Sequence, residues 1–184
     1  ELARRAETAG VAMVTGEGRT RCMFYNGRAD WAALRAVVEA VAVPVVANGD
    51  CADAENAQAM MAVSGASGVM IGRSAIGAPW LVGDVSRSLE AKTPLQPPSA
   101  PLRQQAALEH LHVLLALFGT HAGLRHAPKH LSAYAAKAGA SPGHLLKFVP
   151  CHHPTTPFRL FAAASGIFYD RSSRSSPHPY SPPR

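Results

Sequence analysis

The chain of 184 residues has few cysteines and no long apolar segment. It contains no run of about 18 apolar residues, so we expect no membrane span. The three cysteines, Cys22, Cys51 and Cys151, are odd in number and far apart, which argues against a disulfide scaffold and favours a reducing compartment, the cytoplasm. A basic-then-apolar signal peptide is also lacking, and the chain opens at Glu1 without a methionine, so we expect a truncation upstream.

Charge is distributed unevenly along the sequence. Residues 1–98 contain nine Lys or Arg and ten Asp or Glu. Residues 99–184 contain nine Lys or Arg, only two Asp or Glu, and all nine histidines. A basic segment beside a neutral one is typical of an enzyme that binds a polyanion such as a nucleic acid. A solvated basic tail would carry the same charges, so composition leaves both interpretations open.

The first half of the chain, residues 1–92, alternates between helical and strand patterns. Apolar runs predict strands at 11–15, 43–47 and 67–72, and helical periodicity predicts helices at 1–9, 31–41 and 53–65. Asp30 and Asp53 can cap two of these helices, and Gly65 can end the last. Helices between successive apolar strands predict an α/β fold with a parallel sheet, which a barrel and a doubly wound sheet satisfy equally.

The second half has a different organisation. Residues 93–101 form a Pro-rich linker. Residues 102–140 predict a helical segment of two helices, at 102–118 and 123–138, the second of which contains Pro128. An interior proline costs about 3 kcal/mol, so we expect a kink or break there. Residues 141–184 have no clean period and become rich in Pro, Ser, His and Arg, which predicts a disordered tail.

Polar and glycine-rich motifs follow all three predicted strands. They are GEGRTR at 16–21, ANGD at 47–50 and IGRSAIGAPW at 71–80. Parallel α/β folds place their sites at the carboxyl ends of strands, so we expect these loops to lie together. Gly49 and Gly72 allow close backbone approach, and Arg73 can bind a phosphate with paired donors. The motifs therefore favour a phosphate site, although tight strand-to-helix turns would also use such glycines.

These motifs, with ELARRAETAGVAMVT and FYNGRADW, resemble the bacterial tRNA-dihydrouridine synthases of the B type, including the homologues linked to nitrogen regulation. The resemblance runs from Glu1 to about residue 138. It implies that residues 1–92 are the last three strands of an FMN-binding (β/α)₈ TIM barrel, followed by a small helical tRNA-binding domain. It also implies an enzyme that uses NADPH to reduce the flavin, which then reduces a tRNA uridine to 5,6-dihydrouridine.

The resemblance further implies roles for individual residues. FMN would be bound by Asn48, Gly49, Asp50, Gly72 and Arg73, and tRNA by Arg19, Arg21, Arg125 and Lys129. The acid cysteine of the family would lie upstream of Glu1, so no catalytic residue is assigned here. We expect no metal site, because His126 and His130, one turn apart, have no Glu or Cys partner beside them.

Three departures from the family pattern weaken the expectation of activity. Glu17 stands where a His is usual, Pro128 replaces a basic residue, and residues 141–184 do not resemble the family. We therefore expect the chain alone to be inactive. The alternatives are a non-catalytic RNA-binding remnant and another FMN-binding TIM-barrel oxidoreductase, such as a dihydroorotate-dehydrogenase-like enzyme, which should lack the GRTR loop and the basic helices.

Overall fold

The computed structural model of the chain describes residues 1–91 and 96–141. The elements are α1 Leu2–Thr8, β1 Val14–Glu17, α2 Arg35–Val38, β2 Val45–Asn48, α3 Ala54–Ser64, β3 Gly68–Met70, α4 Leu81–Ala91 and α5 Ala100–Lys137, with short 3-10 helices at Arg21–Met23, Ala32–Leu34 and Arg73–Ala75. Among the described helices, none combines the length and hydropathy needed to cross a bilayer. The predicted tail, apart from Ser141, and part of the predicted linker lie outside the described residues, and Ala100 and Pro101 of that linker belong to α5.

The three strands form one parallel sheet in the order β1-β2-β3. Glu17 pairs with Asn48, and Asn48 with Met70, so these residues form one row at the carboxyl edge of the sheet. The predicted α/β fold with parallel strands is confirmed. Placement of these strands in a barrel stays a prediction.

Both predicted caps of α3 are present. The Asp53 carboxylate accepts the N–H of Asn56 at 2.7 Å and opens α3, and Gly65 ends it with φ of 74°. Asp30 accepts the N–H of Ala33 at 3.0 Å in the turn before α2. Each cap satisfies a backbone group that the helix end leaves unpaired.

The core beneath the sheet lies between the strands and α3 and α4. Its buried members are Leu34, Ala47, Cys51, Ala57, Met60, Ala66 and Val85. Because these side chains come from both the sheet and the helices, their burial fixes the strand ends relative to α3 and α4.

Helix α5 is a hairpin of two arms that meet at Gly119. Its φ of 72° and ψ of 168° are not helical, and only glycine adopts them readily. The rings of His110 and His130 lie 4.5 Å apart, and those of Phe118 and His126 lie 5.0 Å apart, so the arms run antiparallel.

The predicted break at Pro128 was wrong, because the second arm continues through it. Ala127 and Leu131 on either side of the proline are buried against the first arm. This packing outweighs the lost backbone hydrogen bond, and the chain reverses at Gly119 instead.

The loop between β3 and α4 anchors the hairpin. Trp80 packs on the hairpin core, with its ring centroid 6.3 Å from that of Tyr134. Gly77 has φ of 77°, and a methyl group built on it would lie 2.6 Å from the carbonyl oxygen of Ala133. Only glycine permits this approach, which ties the hairpin to the loop that begins with Arg73.

Candidate functional site

An open cavity of about 780 Å³ lies at the carboxyl ends of the three strands. All five residues predicted to bind a cofactor line it, and so do two of the four predicted to bind RNA: Asn48, Gly49, Asp50, Gly72, Arg73, Arg19 and Arg21. The predicted convergence of the strand ends is therefore confirmed. The ligand that these residues bind stays a prediction.

Asp50 is the charged centre of the cavity. Its carboxylate accepts hydrogen bonds from Arg19 Nη2 at 2.5 Å, from the Ala29 N–H at 2.8 Å and from Arg73 Nη2 at 3.2 Å. The hydrogen bond from Arg19, the largest cause, holds the Asp50 pKa below its usual value, with further contributions from Ala29 and Arg73 against the opposing effect of burial. Asp50 therefore stays ionised and joins the loops that follow all three strands.

Arg19 holds the β1 loop in place. Its side chain is only 6% exposed, and its guanidinium donates to the carbonyl oxygens of Asn26 at 3.4 Å and Gly27 at 3.0 Å as well as to Asp50. The hydrogen bond to Asp50 raises the Arg19 pKa, so the guanidinium is permanently charged. Arg19 thus has a structural reason for its position, and its predicted contact with tRNA stays a prediction.

Arg73 is an accessible cation of the cavity wall. Its side chain is 52% exposed and donates to Asp50 through Nη2, and the guanidinium carbon lies 4.8 Å from the centroid of the Tyr25 ring. A guanidinium has five N–H donors, so one bond to Asp50 leaves capacity for a ligand oxygen. Beside it, no atom lies within 4 Å of a methyl group built on Gly72, so the backbone is open to the cavity.

Gly49 has a structural reason to be a glycine, and its predicted contact with FMN stays a prediction. Its φ is 126°, and a methyl group there would lie 2.6 Å from Ala29 Cβ and 2.9 Å from Glu17 Oε1. Its carbonyl oxygen accepts the indole N–H of Trp31 at 2.8 Å. Close packing against the β1 loop therefore explains this glycine without a ligand.

Glu17 and Asn48 form a polar pair at the sheet edge. Asn48 Nδ2 donates to Glu17 Oε2 at 2.8 Å, and Glu17 Oε1 lies 3.9 Å from Arg19 Nη1. The Glu17 carboxylate thus lines the cavity beside the Arg19–Asp50 pair.

Two of the three cysteines, Cys22 and Cys51, lie among the described residues. Cys51 is buried, and burial is the main reason that its thiol pKa is raised. Cys22 is exposed on the 3-10 helix of the β1 loop, and Cys151 lies outside the described residues. In residues 1–91 and 96–141, no group of three His, Cys, Asp or Glu is arranged to hold a metal ion.

The other two predicted RNA contacts lie away from the cavity wall. Arg125 and Lys129 are exposed on the second arm of α5. Sequence reasoning missed the buried polar group on the same hairpin, where Tyr134 Oη lies 3.4 Å from His110 Nδ1. Burial lowers the pKa values of His110 and His130, so this group favours neutral imidazoles.

Comparison with known proteins identifies the family. The family model described as Dihydrouridine synthase (Dus) matches residues 1–144. The chain is 48% identical over 140 residues to a probable tRNA-dihydrouridine synthase of Rhodobacter capsulatus, covering 76% of this chain and 43% of that protein. It is 45% identical over 137 residues to a probable tRNA-dihydrouridine synthase of Rhizobium leguminosarum bv. phaseoli, covering 73% of this chain and 40% of that protein.

A tRNA-dihydrouridine synthase B of Xanthomonas axonopodis pv. citri is 40% identical over 134 residues, covering 73% of this chain and 40% of that protein. The chain thus spans about two fifths of the length of these relatives. The match includes the three strands, the cavity loops and the α5 hairpin. The chain therefore belongs to the dihydrouridine synthase family.

Proposed function

We propose that this chain is the FMN-binding and tRNA-binding part of a tRNA-dihydrouridine synthase, which uses NADPH to reduce a tRNA uridine to 5,6-dihydrouridine in the cytoplasm. The observation that carries the proposal is the 3.2 Å ion pair between Arg73 and Asp50, which joins two neighbouring strand ends at one cavity. The strands would be the last three of a (β/α)₈ barrel. The loops after strands seven and eight of such barrels frequently bind a phosphate.

The residues at these strand ends suit a phosphate monoester. Arg73 offers free donors, and Gly72 leaves its backbone open to the cavity. Arg19, Arg21 and Arg73 line the cavity together with Glu17 and Asp50, so three positive and two negative side chains leave a net charge of +1. In a part-buried cavity such a charge favours a dianion.

Asn48 and Gly49 would lie beside the ribityl chain. Both line the cavity next to Asp50, and the Asn48 amide is held in place by Glu17. When bound, FMN supplies hydride chemistry, while the protein orients the ring and excludes water. The acid cysteine that the family uses would come from an earlier loop of the barrel.

The tRNA substrate would be bound by exposed cations in two places. Arg21 lines the cavity, while Arg125 and Lys129 lie on the hairpin. Contacts of this kind bind the phosphate backbone without reading sequence. The target uridine must leave the base stack to enter the cavity, as in other base-modifying enzymes.

The phosphate assignment is tested with two flavins. We expect Arg73→Ala to weaken FMN binding by about 10-fold or more, since hydrogen bonds to charged groups contribute about 1.5–3 kcal/mol. Riboflavin lacks the phosphate, so its affinity should change little. Flavin fluorescence titration of the full 184-residue chain measures both affinities.

Arg87→Ala is the matched control, because Arg87 is an exposed arginine on α4 that pairs with Asp84 and does not line the cavity. It removes the same charge and should leave FMN affinity unchanged. Equal losses for FMN and riboflavin, or equal effects of the two substitutions, would contradict the phosphate role of Arg73.

A non-catalytic RNA-binding remnant is the second candidate, favoured by Glu17. Its carboxylate faces the cavity, where it would place negative charge beside an electron-rich reduced flavin. Failure of the unchanged chain to bind either flavin, with RNA binding retained, would favour this candidate over the enzyme.

A further inference from the structure

Two aromatic side chains lie exposed at the rim of the cavity. Phe24 is 72% exposed and Tyr25 is 74% exposed, and both line the cavity from the β1 loop. Adjacent large aromatic residues that fold away from any core indicate a binding surface.

The backbone holds Phe24 outward. Its φ of 49° and ψ of −112° are strained for a bulky residue, so the surrounding loop must impose them. Two hydrogen bonds do so: the Phe24 N–H donates to the Arg21 carbonyl at 3.3 Å, and the Asn26 N–H donates to the Met23 carbonyl at 2.9 Å. Such strain at an exposed position is typical of functional sites.

Tyr25 is held from the other side of the cavity. The Arg73 guanidinium lies 4.8 Å from its ring centroid, and Arg73 is in turn paired with Asp50. Arg19 binds the carbonyl oxygens of Asn26 and Gly27, immediately after the two rings. The aromatic pair is therefore positioned before any partner arrives, which reduces the entropy cost of binding.

We propose that Phe24 and Tyr25 are a stacking platform for unpaired RNA bases next to the target uridine. This inference rests on the proposed function and adds a base contact to it. The charge near the rings favours a nucleic acid, because Arg21 and Arg73 line the same cavity and Arg73 lies over the Tyr25 ring. Aromatic rings interleaved with cations suit single strands, whose bases expose their faces and whose phosphates carry negative charge.

Stacking and phosphate contact differ in measurable ways. The probe is a short single-stranded RNA with 2-aminopurine next to a uridine, whose fluorescence is quenched when the base stacks. We expect Phe24→Ala in the full chain to raise the Kd about tenfold and to reduce the quenching. The slope of log Kd against log salt should stay unchanged, because no phosphate contact is removed.

Two variants control for general effects. Phe24→Trp retains an aromatic face and should keep both affinity and quenching. Leu117→Ala truncates another exposed apolar side chain, 71% exposed on the hairpin, and should have no effect. Circular dichroism of each variant verifies the fold.

Several results would overturn the platform. These are equal effects of Phe24→Ala and Leu117→Ala, unaltered quenching, equally tight binding of duplex RNA, or no RNA binding by the unchanged chain. Loss of FMN affinity in Phe24→Ala without loss of RNA affinity would assign the rings to the flavin instead. The Arg73 comparison of FMN with riboflavin does not involve RNA. Failure of the RNA-stacking test would therefore not contradict the phosphate role of Arg73, and failure of the flavin test would not contradict the stacking platform.

Discussion

Replacing Gly77 by alanine should loosen the α5 hairpin from the rest of the protein. Two costs combine at this position. A left-handed conformation costs an L-residue about 1–2 kcal/mol, and the Gly77 φ is 77°. The added methyl group would also lie 2.6 Å from the Ala133 carbonyl oxygen and 2.7 Å from the Tyr134 nitrogen.

The steric clash of the added methyl group is the larger of the two costs. Both contacts are with backbone atoms of a helix, so no rotamer change can relieve them, and overpacking of this kind costs about 1–3 kcal/mol. We expect Gly77→Ala to lower the free energy of unfolding by about 3 kcal/mol, a large fraction of the roughly 5–15 kcal/mol of an ordinary protein.

Gly10→Ala separates the two costs. Gly10 has φ of 92°, but no atom lies within 4 Å of a methyl group built on it, so only the backbone term of about 1 kcal/mol applies. Urea unfolding followed by circular dichroism and by tryptophan fluorescence measures both variants. If Gly77→Ala is no more destabilising than Gly10→Ala, the hairpin does not dock as described.

Three further predictions concern charge. Folding lowers the pKa of Asp50. Its ionised side chain therefore stabilises the folded state at pH values above about 3.9, the pKa in the unfolded chain, and this stabilisation is lost as the pH falls through the lower pKa of the folded state. Asp50→Asn should therefore reduce stability at neutral pH and remove that acid dependence, as urea unfolding across the pH range would show. His110 also has a lowered pKa, so hairpin stability should fall as pH drops below about 6.5, and His110→Gln should flatten this dependence in the same assay. Arg125→Ala and Lys129→Ala should each weaken tRNA binding and reduce the salt slope by about one, whereas an unchanged slope would exclude a phosphate contact.

The sequence predicted the sheet well because its signals are local. Apolar runs between helical segments identify buried parallel strands, and all three strands form in the expected order. Their bounds were less accurate. β1 begins three residues later than predicted and extends through Glu17, because pairing with Asn48 continues past the apolar residues.

The site was predicted in outline but not in its interactions. Motifs at successive strand ends suffice to place Asp50 and Arg73 together, since parallel strands end at the same edge. The Arg19–Asp50 pair and the Arg73–Tyr25 contact join residues far apart in sequence, and nothing local to either partner indicates them. The reversal at Gly119 falls in the gap between the two predicted helices, 102–118 and 123–138. The sequence did not show that the two arms pack against each other, because that contact joins residues far apart in the chain.

The hairpin is docked through Gly77 and Trp80 near the end of its second arm, so a movement there is magnified at the bend. The contact at Ala133 is fourteen residues from the bend at Gly119, which is about 20 Å of helix. A tilt of about 10° at the anchor would swing the far tip by roughly 3–4 Å over that length. Arg125 lies on the outer part of this arm, so a small change in the loop bearing Arg73 is amplified where the arm would meet RNA.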